Sequence, residues 1–274
     1  MFLIDGRESD SISVLDRGLH YGDGLFETMA VIDGSPWLWE RHMRRLCQGA
    51  RRLGFPGPDV SRLREEALRL GAGHARAVLK VIITRGRGTR GYRAEETPRL
   101  TRIVARFAWP DYPAAFSTEG IQVRVCDTRL GDNPHLAGLK HLNRLEQVLA
   151  RGEWRDPGIA EGLMLDQSGR VISGTQSNLF AVRRGGLCTP ELTRCGIRGV
   201  MREWILEQGT AMGITCGEAA LTLDDILGAE EVFMCNSVAG IWPVRGIGAA
   251  RLEIGPVTRR LMAAVEESRG AIHA

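Results

Sequence analysis

Three breakers in five residues, Trp109-Pro110-Asp111-Tyr112-Pro113, stop every regular pattern in this chain and constrain its fold more than any other feature. Proline lacks a backbone donor and pushes the residue before it away from helical geometry, so neither a helix nor a central strand runs through this segment. The 274 residues therefore divide into a smaller N-terminal part at 1–108, a linker at 109–119 and a larger C-terminal part at 120–274.

Before the break, Phe2–Ile4 reads as a short strand, with another near Ser11–Val14. Arg17–Gly24 reads as a glycine-punctuated loop, and Leu25–Ile32 as an apolar strand closed by the hairpin signal Asp33-Gly34. Met43, Leu46, Ala50 and Leu53 share one face of a helix ended by Gly54; a second helix covers about Val60–Leu70, with Ser61 near its start. Strands follow at Ala77–Thr84 and Leu100–Phe107. After the break come a strand at Ile121–Cys126, a loop carrying Lys140 that runs into a helix, and strands at Glu161–Asp166, Val171-Ile172 and Asn178–Val182. A helix at Gly199–Gly209, a strand at Glu231–Cys235 and a helix at Pro256–Ser268 complete the pattern. Strands and helices mix without strict alternation, which predicts an α+β fold in two parts.

Of the 36 basic residues only Lys80 and Lys140 are lysines; the other 34 are arginines. Where an exposed cation could have become arginine at little cost, a lysine that remains is informative. Arginine stays protonated, whereas a lysine can lose its proton and attack a carbonyl. Lys140 lies in Gly138-Leu139-Lys140-His141-Leu142-Asn143-Arg144, at a loop-to-helix junction. Lys80 alternates along its strand with Leu79, Val81 and Ile83 on the opposite face, which suits an apolar stem with its head in solvent or paired with an acid. Lys140 is thus the candidate for covalent chemistry.

Other function classes recede. A net charge of +3 with no long basic block does not favour nucleic acid. The six cysteines form no Cys-x-x-Cys pair, which argues against zinc and suits a reduced, cytoplasmic compartment. No apolar run approaches the roughly 18 residues that span a bilayer.

Two helix or strand ends look suited to an anion. Cys195-Gly196-Ile197-Arg198-Gly199-Val200 opens a helix whose amides can face a phosphate, and Cys235-Asn236-Ser237-Val238 closes a strand in small polar residues. The helix segment Glu40–Leu46 offers three arginines, any one of which could turn inward. Thr84-Arg85-Gly86-Arg87-Gly88-Thr89-Arg90-Gly91-Tyr92 is either a flexible anion clamp or a solvated hairpin tip. One lysine fit for a Schiff base and two phosphate cradles together suggest pyridoxal phosphate.

These residues also match a known pattern. Asp16-Arg17-Gly18, Tyr21-Gly22-Asp23-Gly24-Leu25-Phe26-Glu27, His42-x-x-Arg45-Leu46, Thr84-Arg85-Gly86, Leu139-Lys140 and Gly174–Phe180 resemble the fold type IV pyridoxal-phosphate enzymes over almost the whole chain. Within that family, the run Gly131–Val148 is most similar to the aminodeoxychorismate lyases. The resemblance implies a two-domain fold with the larger, C-terminal part binding the cofactor. It makes Lys140 the Schiff-base lysine, with Arg45, the amides of Ile197 and Arg198, and Asn236 and Ser237 holding the cofactor phosphate. Ser173 stands where the family normally has the glutamate that keeps the pyridine nitrogen protonated. Phe26, Arg90 and Tyr92 take substrate-binding positions, and a homodimer with its site near the subunit boundary is implied. The implied reaction converts 4-amino-4-deoxychorismate to 4-aminobenzoate and pyruvate, toward folate. Two alternatives stay open: an aminotransferase of the same fold, acting on branched-chain or D-amino acids, and a non-catalytic descendant, to which Ser173 points.

Overall fold

The computed structural model describes residues 1–271 and separates into two compact units. The first comprises Met1–Pro110 with residues 139–143; the second comprises Asp111–Gly138 and Arg144 onward.

The first unit is a six-stranded antiparallel sheet. Its strands are β1 (Phe2–Ile4), β2 (Arg7–Glu8), β3 (Gly24–Ile32), β4 (Ser35–Pro36), β5 (Arg76–Thr84) and β6 (Thr101–Phe107), in the order β2-β1-β6-β5-β3-β4. Alternation along β3 and β5 turns Leu25, Met29, Leu79, Val81 and Ile83 into one core. Covering it are α2 (Trp39–Arg52) through Met43, Leu46 and Ala50, and α3 (Val60–Gly71) through Leu63, Ala67 and Leu70. The expected Asp33-Gly34 turn forms, with φ of 46° and 82°. Ser61 lies in the first turn of α3 as expected, and Asp59 caps the helix by accepting from the Arg62 amide.

Two expectations are corrected here. Ser11–Val14 is not a strand: Asp5-Gly6 makes so tight a turn that β2 follows at once, pairing Leu3 with Glu8 and Ile4 with Arg7. Arg17–Gly24 is not a plain loop, because Arg17–Tyr21 forms a short helix, α1. Asp16 caps its start by accepting from Gly18 N at 2.8 Å, and Gly22 ends it in left-handed geometry.

The second unit holds a ten-stranded mixed sheet. Its strands are β7 (Ile121–Val125), β8 (Ile159–Leu165), β9 (Arg170–Gly174), β10 (Asn178–Arg183), β11 (Gly186–Pro190), β12 (Cys216–Ala219), β13 (Leu221–Thr222), β14 (Glu231–Asn236), β15 (Gly240–Ile247) and β16 (Ala250–Arg251). The order is β12-β11-β10-β14-β15-β7-β8-β9-β13, with β16 beside β15. The helices of this unit are α4 (Ala115–Thr118), α5 (Leu145–Arg151), α6 (Val200–Ala211), α7 (Leu223–Leu227) and α8 (Pro256–Gly270). Leu163, Leu179, Met234, Trp242 and Val244 belong to its main core. Among the described residues, no helix is long and apolar enough to cross a membrane.

Candidate functional site

In the first unit, residues 140–142 lie along the start of β3. Phe26 N donates to Lys140 O at 3.0 Å, Leu142 N donates to Gly24 O at 3.1 Å, and His141 bridges to Leu25. Glycine is required at position 22, where φ is +62° and an added Cβ would lie 2.6 Å from Asn143 Oδ1. The lysine is thereby fixed at its backbone. Its Nζ stands 4.3 Å from the centroid of the Phe26 ring, a distance at which a ring face attracts an ammonium group.

Lys80 approaches the same ring, with Nζ 5.2 Å from its centroid. The expected face is correct, since Leu79, Val81 and Ile83 are buried on the other side. Its head, however, joins the surroundings of Lys140, and among the described residues it has no carboxylate partner. Sequence reasoning did not foresee that both lysines would meet one aromatic ring. The strand register carries the signal, because Lys80 pairs with Thr28, two residues along β3 from Phe26.

On the opposite face of β3, Glu27 points at α2. Its carboxylate, 1% exposed, accepts from His42 Nδ1 at 2.6 Å and from Arg45 through both Nε, at 2.8 Å, and Nη2. The question of which helix arginine turns inward is thus answered: Arg45 does, while Arg44 is exposed. Burial alone would raise the Glu27 carboxyl, but the charge of Arg45 and the hydrogen bonds from Arg45 and His42 outweigh it and hold it at about 2. Burial also lowers His42 below its ordinary value, so a neutral ring donates from Nδ1.

The loop with Arg90 and Tyr92 is also part of this unit. Both residues are exposed, Tyr92 at 87%. The loop is not a free tip, because its backbone is bound to Arg17.

In the second unit, three turns lie together at one end of β9, β10 and β14. Asn178 Nδ2 donates to Ile197 O at 3.0 Å, tying β10 to the loop before α6. Asn178 also pairs with Cys235 across the sheet, beside Asn236. Glu161, absent from the sequence-based candidates, sits fully buried beneath the 174–178 turn. It accepts from the Thr175 amide at 3.1 Å, the Ser177 hydroxyl at 2.8 Å and the Gly162 amide at 2.9 Å. A charged residue in an otherwise buried strand was the available signal.

Ser173 is 8% exposed, and its hydroxyl donates to Gly174 O at 2.9 Å. Asn236 Oδ1 accepts from the amides of Val238 and Ala239 at 2.9 and 2.8 Å, which shapes the turn holding Ser237. The Arg198 amide already donates to Gly138 O at 3.2 Å, so the anion donors at this helix start include the amides beyond it, from Gly199 on. Gly199 precedes the twelve-residue α6 at its cap position, with no side-chain cap, and a Cβ there would lie 1.9 Å from Asn178 Oδ1. An uncapped helix start that admits only glycine, beside a serine and an asparagine, suits a phosphate group. Among the described residues no cluster of His, Cys, Asp and Glu could hold a metal.

Residues 24–247 match the family model described as amino-transferase class IV. The chain is 37% identical to aminodeoxychorismate lyase of Vibrio harveyi over 265 residues, covering 95% of this chain and 98% of that one. It is 31% identical to the branched-chain-amino-acid aminotransferase of Escherichia coli K12, covering 94% and 87%. The crystal structure of 4-amino-4-deoxychorismate lyase from Pseudomonas aeruginosa superposes with a TM-score of 0.94 at 46% identity, covering 97% of this chain and 98% of that one.

Proposed function

Since the chain belongs to the class IV amino-transferase family of fold type IV pyridoxal-phosphate enzymes, we propose that it is an aminodeoxychorismate lyase, releasing aminobenzoate and pyruvate. The observation that carries this reading is the near full-length likeness to two lyases, joined to a lysine amine held beside an aromatic ring.

Bound to Lys140, pyridoxal phosphate would supply the electron sink that makes a proton on the amine-bearing carbon removable. Arg45, set by Glu27, is a phosphate partner in this reading. In the second unit the Gly199 helix start, Asn236 and Ser237 take the same role. Once the substrate amine has taken its place, Lys140 Nζ is the base that accepts the proton from the amine-bearing carbon. The same amine then delivers a proton to the departing enolpyruvyl group. Phe26 lies against the Lys140 amine and forms an apolar wall beside the reacting atoms. Arg90 and Tyr92 are read as contacts to a substrate carboxylate.

Ser173 fits a lyase. A hydroxyl cannot keep a pyridine nitrogen protonated as a carboxylate does, which weakens the sink. An elimination with a good leaving group and an aromatic product needs that sink less than a transamination does. The chain acts as a homodimer in this reading. Leu145, Val148 and Leu149, exposed at 75, 63 and 63% on one side of α5, offer apolar surface for a second copy, and sedimentation equilibrium measures the assembly.

The deciding experiment incubates the protein, pyridoxal phosphate and aminodeoxychorismate and follows both products. Equal amounts of pyruvate and aminobenzoate support the lyase. Conversion of the cofactor to its pyridoxamine form with an amino acid, and no aminobenzoate, supports the aminotransferase instead. Protein that takes up no cofactor and forms neither product is a non-catalytic descendant.

A further inference from the structure

The loop after β5 is cationic outside and bound from beneath. Arg87, Arg90 and Arg93 are exposed, whereas Arg17 is 6% exposed below them. Every arm of the Arg17 guanidinium has a partner: Nε donates to Asp23 Oδ2 at 2.9 Å, Nη1 to Gly91 O at 3.0 Å and Nη2 to Tyr92 O at 2.9 Å. A planar fork of fixed geometry thereby joins a carboxylate to two successive loop carbonyls.

Asp23 is held in turn. The same Oδ2 accepts from Arg85 Nε at 2.8 Å, and Arg85 donates onward to Gly54 O at 2.9 Å and Leu53 O at 2.7 Å, just past the end of α2. Tyr21 binds the loop from another side. Its hydroxyl accepts from Gly91 N at 3.1 Å, and its ring lies 5.4 Å from that of Tyr92 and 4.9 Å from the Arg17 guanidinium carbon. The loop glycines make room for this arrangement: a Cβ on Gly88 would lie 2.9 Å from Arg17 Cδ. A glycine- and arginine-rich loop would otherwise have many conformations to lose on binding an anion. Here Gly91 is bonded through both its amide and its carbonyl, and Tyr92 through its carbonyl, directly after Arg90.

We propose that Arg17, aimed by Asp23 and supported by Tyr21, is a positioning residue that presets the loop so that Arg90 meets the substrate carboxylate. The inference rests on the reading of Arg90 and Tyr92 as substrate contacts. Lysine at position 17 could keep the charge beside Asp23, but a single ammonium lacks the fork that spans both carbonyls. Ordering before binding lowers the entropic cost of association and leaves the chemical step alone, so its loss falls on KM rather than on kcat.

The test uses the holoenzyme with Arg17→Lys and the milder Tyr21→Phe, which removes only the hydroxyl. Two quantities are read: the rate of tryptic cleavage after Arg87, Arg90 and Arg93, and steady-state KM and kcat. Arg17→Lys is expected to raise the cleavage rate and KM each by about tenfold, the size set by losing roughly one hydrogen bond from a charged donor, with kcat within about twofold. Tyr21→Phe moves both in the same direction by less. If Arg17→Lys does not fold, Tyr21→Phe decides alone. Cofactor-loaded variants cleaved at the wild-type rate overturn the positioning role. Faster cleavage with unchanged KM overturns instead the assignment of Arg90 to the substrate.

Discussion

Replacing Glu27 with Gln tests whether the buried cluster at the root of α2 supports both stability and cofactor. The carboxylate is 1% exposed and holds His42 and Arg45 at once. Its pKa falls from an ordinary value of 4.5 to about 2 in the folded protein. That difference corresponds to about 3 kcal/mol at pH 7, in line with the roughly 3–5 kcal/mol seen when one partner of a buried pair is removed. The folded pKa is depressed, so the contribution is complete above the unfolded value of 4.5 and is lost as pH falls toward about 2. Urea unfolding of both proteins without cofactor, from pH 7 down to pH 3, should show a gap of about 3 kcal/mol shrinking to roughly 1 kcal/mol. The substitution should also release the Arg45 guanidinium and weaken cofactor retention. A gap below about 1 kcal/mol at pH 7, or one that stays constant with pH, would refute the reasoning.

Three further outcomes are expected. Ser173→Glu restores a carboxylate on β9 and should raise transamination relative to lyase turnover; a tenfold gain in lyase turnover with transamination flat, about 1.4 kcal/mol of barrier, would contradict the account given for Ser173. Gly199→Ala places a methyl 1.9 Å from Asn178 Oδ1, so the start of α6 must shift; cofactor affinity measured by equilibrium dialysis should drop at least about tenfold, and unchanged affinity would separate this helix start from the phosphate. Burial pushes the thiols of Cys126 and Cys235 up to about 12 and that of Cys195 up to about 11. These three should therefore resist an aromatic disulfide reagent at pH 8 in the native protein, leaving only Cys47, Cys188 and Cys216 to react.

Much of the fold was legible because its signals are local. Met43, Leu46 and Ala50 announce the buried face of α2, and alternation in β5 separates Lys80 from Leu79 and Val81. Strand β15 was missed although it lies between β14 and β7 in the second sheet. Gly240, Pro243 and Gly246 read as breakers, but Gly240 and Pro243 keep their register with Asn236 and Phe233 of β14, and a bulge against β7 between Val244 and Gly246 takes up the last. Helix α1 was missed because Gly18 within it and Gly22 and Gly24 after it outweighed the Asp16 cap in a segment of only five residues. In the candidate site, Lys140 stood out by chemistry, since lysine is scarce. The partners of Arg45 did not, because Glu27 comes from a strand 18 residues away. A glutamate alternating with Leu25 and Met29 on the buried face was the sign that a cation must face it. Which loop atoms Arg17 would bind, 74 and 75 residues along the chain, lay beyond any spacing rule.

The central claim is that the amine of Lys140 carries the cofactor. Borohydride reduction of the protein loaded with pyridoxal phosphate, followed by peptide mapping, measures it directly. The account predicts a single pyridoxyl-modified peptide with the label on Lys140, and no label when Lys140→Arg is treated in the same way. Label on Lys80, or a wild-type protein that takes up none, would contradict it.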